Sequence, residues 1–476
     1  MSVANANLDP EKYLASSGHV ETKADEGQTT PPIEEFHAKF EKRLIRKGNL
    51  GNAKTLGMIG ASGIGADPTG SRYALLNALY FIGYVNWMIP TTLFAKRTKV
   101  NLVIGCSGIW WGIAAASTAA VNSYGTAMAA RYFVGFGEAG FGPVIPFYLA
   151  RWYTKRDLAL RMSIFLFSGP LAGVINGLVS YGVSFIKGSL APWRILFIIE
   201  GSPAILAGVF ALSILPGDVM TTRWLTEKER ACVLARKARE ASVEPHHINW
   251  RQAASVVWSW QILLPAMSYQ CVMTVGAALG AFLPTLVTDV GYTGAIAQVY
   301  TLPPYAAAAV CMLIVCWVSD RYQRRGPGMV AGFAFMTLGF AMLLGLSPNQ
   351  RAGRYASLVF CEVGQFICIP LNLTWAAENA GNESRKAVSL PLVITLGQAL
   401  AIASGYLFPA KDSPTYRMGS GVCMGLCIWG IIISATYIIL LRRENARRDM
   451  VEGPAAGAVP DTATYADKAV GFRYVW

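Results

Sequence analysis

Two charged residues stand inside an apolar stretch. Arg131 and Glu138 lie within RYFVGFGEAGFGPVIPFYLA, residues 131–150, which is otherwise uncharged. The run is long enough for a membrane helix. At about 100° per residue, seven positions bring the second charge within ~20° of the first and about 10 Å further along the axis. Both charges therefore share one helix face. A charge near the bilayer centre costs roughly 2.5–3.5 kcal/mol on insertion scales, so such residues turn toward a bundle interior or a wet cavity. A guanidinium there grips a carboxylate with two parallel hydrogen bonds, more strongly than in water. A carboxyl beside it is placed to exchange a proton when another anion takes the guanidinium. A structural ion pair that only joins helices is the competing use of the same residues.

Weaker candidates surround this pair. Glu362 and Gln365 are three residues apart on one face of a second apolar run. They are expected to line the cavity from the other side, Glu362 as a second proton-coupling carboxyl and Gln365 as a substrate contact. Gln270, Asn372 and Trp375 are further substrate-binding candidates. Hydrogen bonding between helices would account for such polar residues equally well. Tyr80, Tyr84, Trp87, Tyr305 and Trp375 offer ring faces for stacking, although Trp and Tyr also serve as interface anchors. Arg97, Asp320, Arg321 and Arg325 sit in tight loops between helices and are assigned to a structural latch.

Other chemistries find no support. The nine Cys form no CxxC pair and have no His partner, so neither a metal site nor a disulfide framework is indicated. All four His lie outside the apolar runs, which removes an imidazole relay within the membrane. There is no nucleophile motif and no metal-ligand spacing. The chain is not expected to be an enzyme or to carry a cofactor.

The elements that must position these residues are apolar helices. Of the 476 residues, 53% are hydrophobic and 14% charged, against about 25% charged in soluble domains. This composition defines an all-α, polytopic membrane protein. Apolar runs of spanning length fall near residues 72–95, 100–120, 124–150, 161–186, 193–215, 259–283, 295–319, 328–347, 354–376, 387–409 and 418–441. Pro143 and Pro146 are expected to loosen the third.

Six segments follow. Residues 1–47 form a polar, cytosol-type tail ending in a short basic amphipathic piece. Residues 48–71 are Gly-rich and a poor spanning candidate. Residues 72–215 are an N-terminal bundle, and 216–258 a basic central loop. Residues 259–441 are a C-terminal bundle, and 442–476 a cytosolic tail.

The net charge of +13 is explained by topology, with no nucleic-acid partner required, because the basic residues cluster in alternate loops. One set holds Lys96, Arg97 and Lys99, then Arg151 to Arg161, the central loop, Arg321 to Arg325, Arg385 and Lys386, and Arg442 to Arg448. The positive-inside rule puts that set in the cytosol. About eleven spans, five then six, would leave the N-terminal tail outside, although its Lys and Arg ask to stay inside. A missing span ahead of Arg72, or partial insertion of the Gly-rich segment, would resolve the conflict.

The paired halves, the basic central loop and Asp320-Arg-Tyr-Gln-Arg-Arg325 resemble the major facilitator superfamily. Arg131-Tyr-Phe-Val-Gly-Phe-Gly-Glu138, Trp193-Arg194, Phe197-Ile-Ile-Glu200-Gly and Arg223-Trp224-Leu-Thr226 resemble its anion:cation symporter branch, specifically the fungal allantoate permease group. Phe282-Leu-Pro284, Gly291-Tyr-Thr293 and Pro303-Pro-Tyr305 are similar to nicotinate permease-like members. Members of this group have twelve helices, the first ending in Asp-Arg ahead of an NIGNA-like segment. Here Asn49-Leu-Gly-Asn-Ala53 matches that segment, but Lys47-Gly48 directly precedes it. The first helix is therefore read as lacking.

The resemblance implies two bundles rocking about a midplane site, open to each side in turn. It implies a plasma-membrane, monomeric carrier of a small organic anion, such as nicotinate or a related vitamin or ureide carboxylate, coupled to protons. Two alternatives stay open. One is an exporter of a fungal secondary metabolite; the other is a non-transporting sensor, which the missing helix favours.

Overall fold

The computed structural model describes the chain except for residues 1–48, 60–63, 66, 68–69, 146–147, 150–154, 187, 218–221, 223–225, 228–229, 231–256, 293–294, 382 and 454–465. All described residues belong to one compact unit, Phe40–Trp476. Lys47–Gly48, the N-terminal tail, most of the central loop and the basic loop from Arg151 to Thr154 lie outside the described residues.

The regular structure is helical. A short α1 (Asn49–Thr55) precedes α2 (Ser71–Arg97), α3 (Val100–Ser117), α4 (Tyr124–Ala139), α5 (Lys155–Ser184) and α6 (Pro192–Ile214). After the central segment come α7 (Trp260–Val290), the short α8 (Ala295–Val299), α9 (Leu302–Tyr322), α10 (Gly326–Gly345), α11 (Arg351–Glu378), α12 (Glu383–Ala399) and α13 (Arg417–Glu452). Among the described residues, nine helices are long and apolar enough to cross a membrane. Helix α2 carries polar residues and α4 is only 16 residues long; both pack among the nine.

Small residues set the packing. A Cβ on Gly135 of α4 would lie 2.1 Å from the Tyr80 carbonyl oxygen of α2, so the two backbones touch. Helices α3 and α6 meet the same way, Gly112 against Gly201. Without a hydrophobic drive between helices in lipid, such close approach is what holds them.

Helix ends follow local chemistry. Ser123 caps α4 in a reciprocal capping box with Thr126. The apolar run from Tyr124 breaks after Ala139, and turns occupy 140–143, where Pro143 removes a backbone donor. The run expected at 295–319 is divided: α8 ends at Val299, and Pro303-Pro304 start α9. Helix α13 extends past the apolar run to Glu452, with exposed Arg447 and buried Arg448 both pairing Glu444.

The two halves join at the end that holds Tyr73. The Tyr73 hydroxyl donates to the Ala281 carbonyl at 2.7 Å, and Asn77 Nδ2 donates to Ser404 Oγ at 3.0 Å. From α1, Lys54 Nζ lies 4.6 Å from the Tyr73 ring and 5.0 Å from the Phe282 ring. Burial pulls the Lys54 ammonium below its usual range, against the opposing fields of Asp289 and Asp67. The Gly-rich segment thus starts as a helix wedged between the halves.

At the opposite end, a segment near the C-terminus folds back. Trp375 Nε1 donates to Val475 O at 2.8 Å, and Asn379 holds both the N–H and the C=O of Val475. Asp467 pairs with Arg385, and the Trp476 ring lies between Arg324 at 4.5 Å and Arg442 at 3.6 Å.

Candidate functional site

A cavity of about 340 Å³ lies between the halves. Helices α2 to α6 line it on one side, and α7, α9, α11 and α12 on the other. Arg131 and Glu138 both face it, as seven-residue spacing on one helix requires. They are buried, at 8% and 3% exposure.

Arg131 is held against the Phe197 ring, its guanidinium carbon 5.3 Å from the centroid. It lies in the fields of Glu200, Tyr73 and Tyr80. Its Nε and Nη2 are buried and have no hydrogen-bond acceptor among the described residues. Such donors are costly to leave unmade, at about 1–3 kcal/mol or more for a charged group. Glu138 Oε2 accepts from the Tyr80 hydroxyl at 2.5 Å. Tyr84 stacks beside Tyr80, 6.3 Å between centroids.

On the other wall, Glu362 and Gln365 of α11 both line the cavity. Tyr305 of α9 lies beside Glu362 and packs its ring flat against Gly173 of α5, where a Cβ would come within 2.5 Å of the ring. The expected ring-bearing residues divide: Tyr80, Tyr84 and Tyr305 line the cavity. Trp87 is 40% exposed and donates to Tyr132 Oη at 3.2 Å.

Three other residues expected at the substrate lie elsewhere. Trp375 is buried against Tyr437, 4.5 Å between centroids, and holds Val475. Asn372 Nδ2 donates to the Pro265 carbonyl at 3.2 Å, which ties α11 to α7. Gln270 is half-buried next to the lining residue Tyr269. None of the three is among the residues lining the cavity.

The loop residues also separate. Arg325 is 2% exposed and forms a bidentate pair with Glu378, at 3.0 and 2.7 Å. It also pairs with Asp320 and donates to Ser319 Oγ at 3.1 Å. Burial opposes its charge, but the hydrogen bonds and field of Glu378, then Asp320, outweigh that and hold Arg325 above the ordinary arginine range. Arg321 is exposed, 5.8 Å above the Trp317 ring, and Arg97 is exposed at the end of α2.

Sequence reasoning leaves Glu200 outside the site. It lines the cavity one turn from Phe197, and that three-residue spacing is the available signal. Gln398 of α12 and Asn77 of α2 also line it. Nothing in their local sequence distinguishes them from residues that join helices.

Comparison with known proteins gives a consistent result. The model of the family described as Major Facilitator Superfamily matches residues 49–390. The "MFS transporter prlL" of a fungal species is 29% identical, covering 89% of this chain and 92% of that protein. The "High-affinity nicotinic acid transporter" of Saccharomyces cerevisiae is 25% identical, covering 100% of this chain and 92% of its own. The crystal structure of a D-xylose-proton symporter has the same fold, with a TM-score of 0.64 at 15% identity, over 84% of this chain and 96% of that one.

Proposed function

This chain belongs to the Major Facilitator Superfamily, and from that premise we propose that it is a proton-coupled carrier of a small organic carboxylate. The observation that carries the reading is the buried Arg131 guanidinium, with two donors unmatched among the described residues, on the wall of a cavity between two helical halves. A carboxylate satisfies both donors at once. The aromatic lining from Tyr80, Tyr84, Phe197 and Tyr305 suits a planar ring. The nicotinic acid transporter among its relatives supports a pyridine carboxylate as the first candidate.

Glu138 is assigned the coupled proton. It stands on the same helix face as Arg131, so an anion that occupies the guanidinium changes the field at Glu138. Proton and substrate then bind in one step and cross together as the halves rock. We place the carrier in the plasma membrane, as a monomer of the anion:cation symporter branch. The absence of its first helix is part of this proposal and rests on Lys47–Gly48, outside the described residues.

The test is nicotinate transport by purified protein in proteoliposomes. An imposed pH gradient is expected to drive accumulation. Glu138→Gln is expected to keep nicotinate exchange and lose gradient-driven accumulation. Proton flux that is unchanged in Glu138→Gln counts against the assignment. Binding of nicotinate without any flux would instead identify a sensor.

A further inference from the structure

The polar groups of the cavity are sorted by kind. On the first-half wall, Nε and Nη2 of Arg131 are donors without acceptors among the described residues. On the second-half wall, Oε1 of Glu362 and Oε1 of Gln365 are buried acceptors without donors among the described residues. Glu362 is 1% exposed and Gln365 8%. Mid-helix backbone N–H groups are already used within their own helices, so the neighbouring backbone has none to offer. Buried acceptors left unmatched are uncommon, and each calls for an explanation.

The acceptor pair is held in place by its surroundings. Glu362 and Gln365 are three residues apart on α11 and share a face. Gly276 of α7 makes room for the Gln365 amide, since a Cβ there would stand 2.3 Å from Gln365 Nε2. The charge balance points the same way. Among the described lining residues, Arg131 faces three carboxyls, those of Glu138, Glu200 and Glu362. A ligand that offered only a carboxylate would leave both acceptors of α11 unmatched.

We infer that the ligand is bipolar: its carboxylate meets Arg131, and a nitrogen-bearing pole, an ammonium or N–H donor, meets Glu362 and Gln365. This rests on the carboxylate reading of Arg131 and adds the second pole; nicotinate meets it as the zwitterion, whose pyridinium N–H is the donor. It makes Glu362 the specificity-determining residue of the second half, and leaves the coupled proton to Glu138.

Two probe pairs bracket the spacing of the poles: benzoate with 4-(aminomethyl)benzoate, and hexanoate with 6-aminohexanoate. Binding to the purified full-length protein is followed by tryptophan fluorescence. In at least one pair, the amine-bearing member is expected to bind about tenfold tighter, as a charge-assisted hydrogen bond allows. Glu362→Gln keeps the side-chain shape and removes the charge. It is expected to abolish that preference by bringing the two members of the pair to equal affinity, and an unchanged circular dichroism spectrum and detergent half-life report an intact fold. Equal binding within both pairs, or a preference that survives Glu362→Gln, overturns the inference; the carboxylate reading still stands if Arg131→Ala weakens every probe. Binding that ignores Arg131→Ala overturns the carboxylate reading, and the inference with it.

Discussion

Replacing Arg325 by Ala tests whether the loop between α9 and α10 is a latch. The side chain is 2% exposed, and its two carboxylate partners, Glu378 and Asp320, are 25% and 34% exposed. Removing one partner of a fully buried pair costs about 3–5 kcal/mol, because the remaining charge is stranded. Here both carboxylates keep some access to water, so the lower figure of about 2–3 kcal/mol applies. The neighbouring Arg321 is the control. It is exposed, with its guanidinium carbon 5.8 Å from the Trp317 ring, and its loss should cost about 0.5 kcal/mol. Large membrane proteins unfold irreversibly, so the readout is the inactivation half-life in detergent at fixed temperature. A loss of about 2 kcal/mol, fully expressed in the unfolding barrier, shortens that half-life about 30-fold. Equal half-lives for Arg325→Ala and Arg321→Ala would refute the assignment of the latch to Arg325.

Three further outcomes follow from the same geometry. Tyr80→Phe removes the hydroxyl that donates to Glu138, and is expected to move the pH profile of uptake while leaving nicotinate KM near wild type. Gly276→Ala puts a methyl 2.3 Å from the Gln365 amide, and is expected to raise KM for amine-bearing carboxylates more than for plain ones. Trp476→Ala removes the ring between Arg324 and Arg442. It is expected to speed tryptic cleavage at Arg473, and an unchanged cleavage rate would contradict the docking of this segment.

Some of this was legible in the sequence because helical geometry links spacing to facing. Arg131 and Glu138, and again Glu362 and Gln365, came to the cavity as pairs because seven and three residues each return to one face. The helical runs were legible because hydropathy alone marks them. Partnership between distant helices was not. Glu378 stands 53 residues from Arg325, and no local pattern joins them. Trp375 has the aromatic, polar-tipped character of a ring-binding residue, yet its indole N–H serves Val475, 100 residues away. The segment from Asp467 to Trp476 has no apolar period to mark it as packed. It docks through side chains that hold its backbone, Asn379 on Val475 and Arg448 on the Phe472 carbonyl. The Gly-rich stretch was a poor spanning candidate on composition, and the structure uses its first turns as a wedge between Tyr73 and Phe282.

The most direct measurement is nicotinate exchange at equal concentrations across proteoliposomes, where no gradient enters. If the Arg131 guanidinium holds the carboxylate in the central cavity, Arg131→Ala loses about 100-fold in exchange, the scale of a bidentate charged pair. Arg131→Lys recovers part of it, since the charge returns without the fork. Exchange at the wild-type rate in Arg131→Ala would contradict the account.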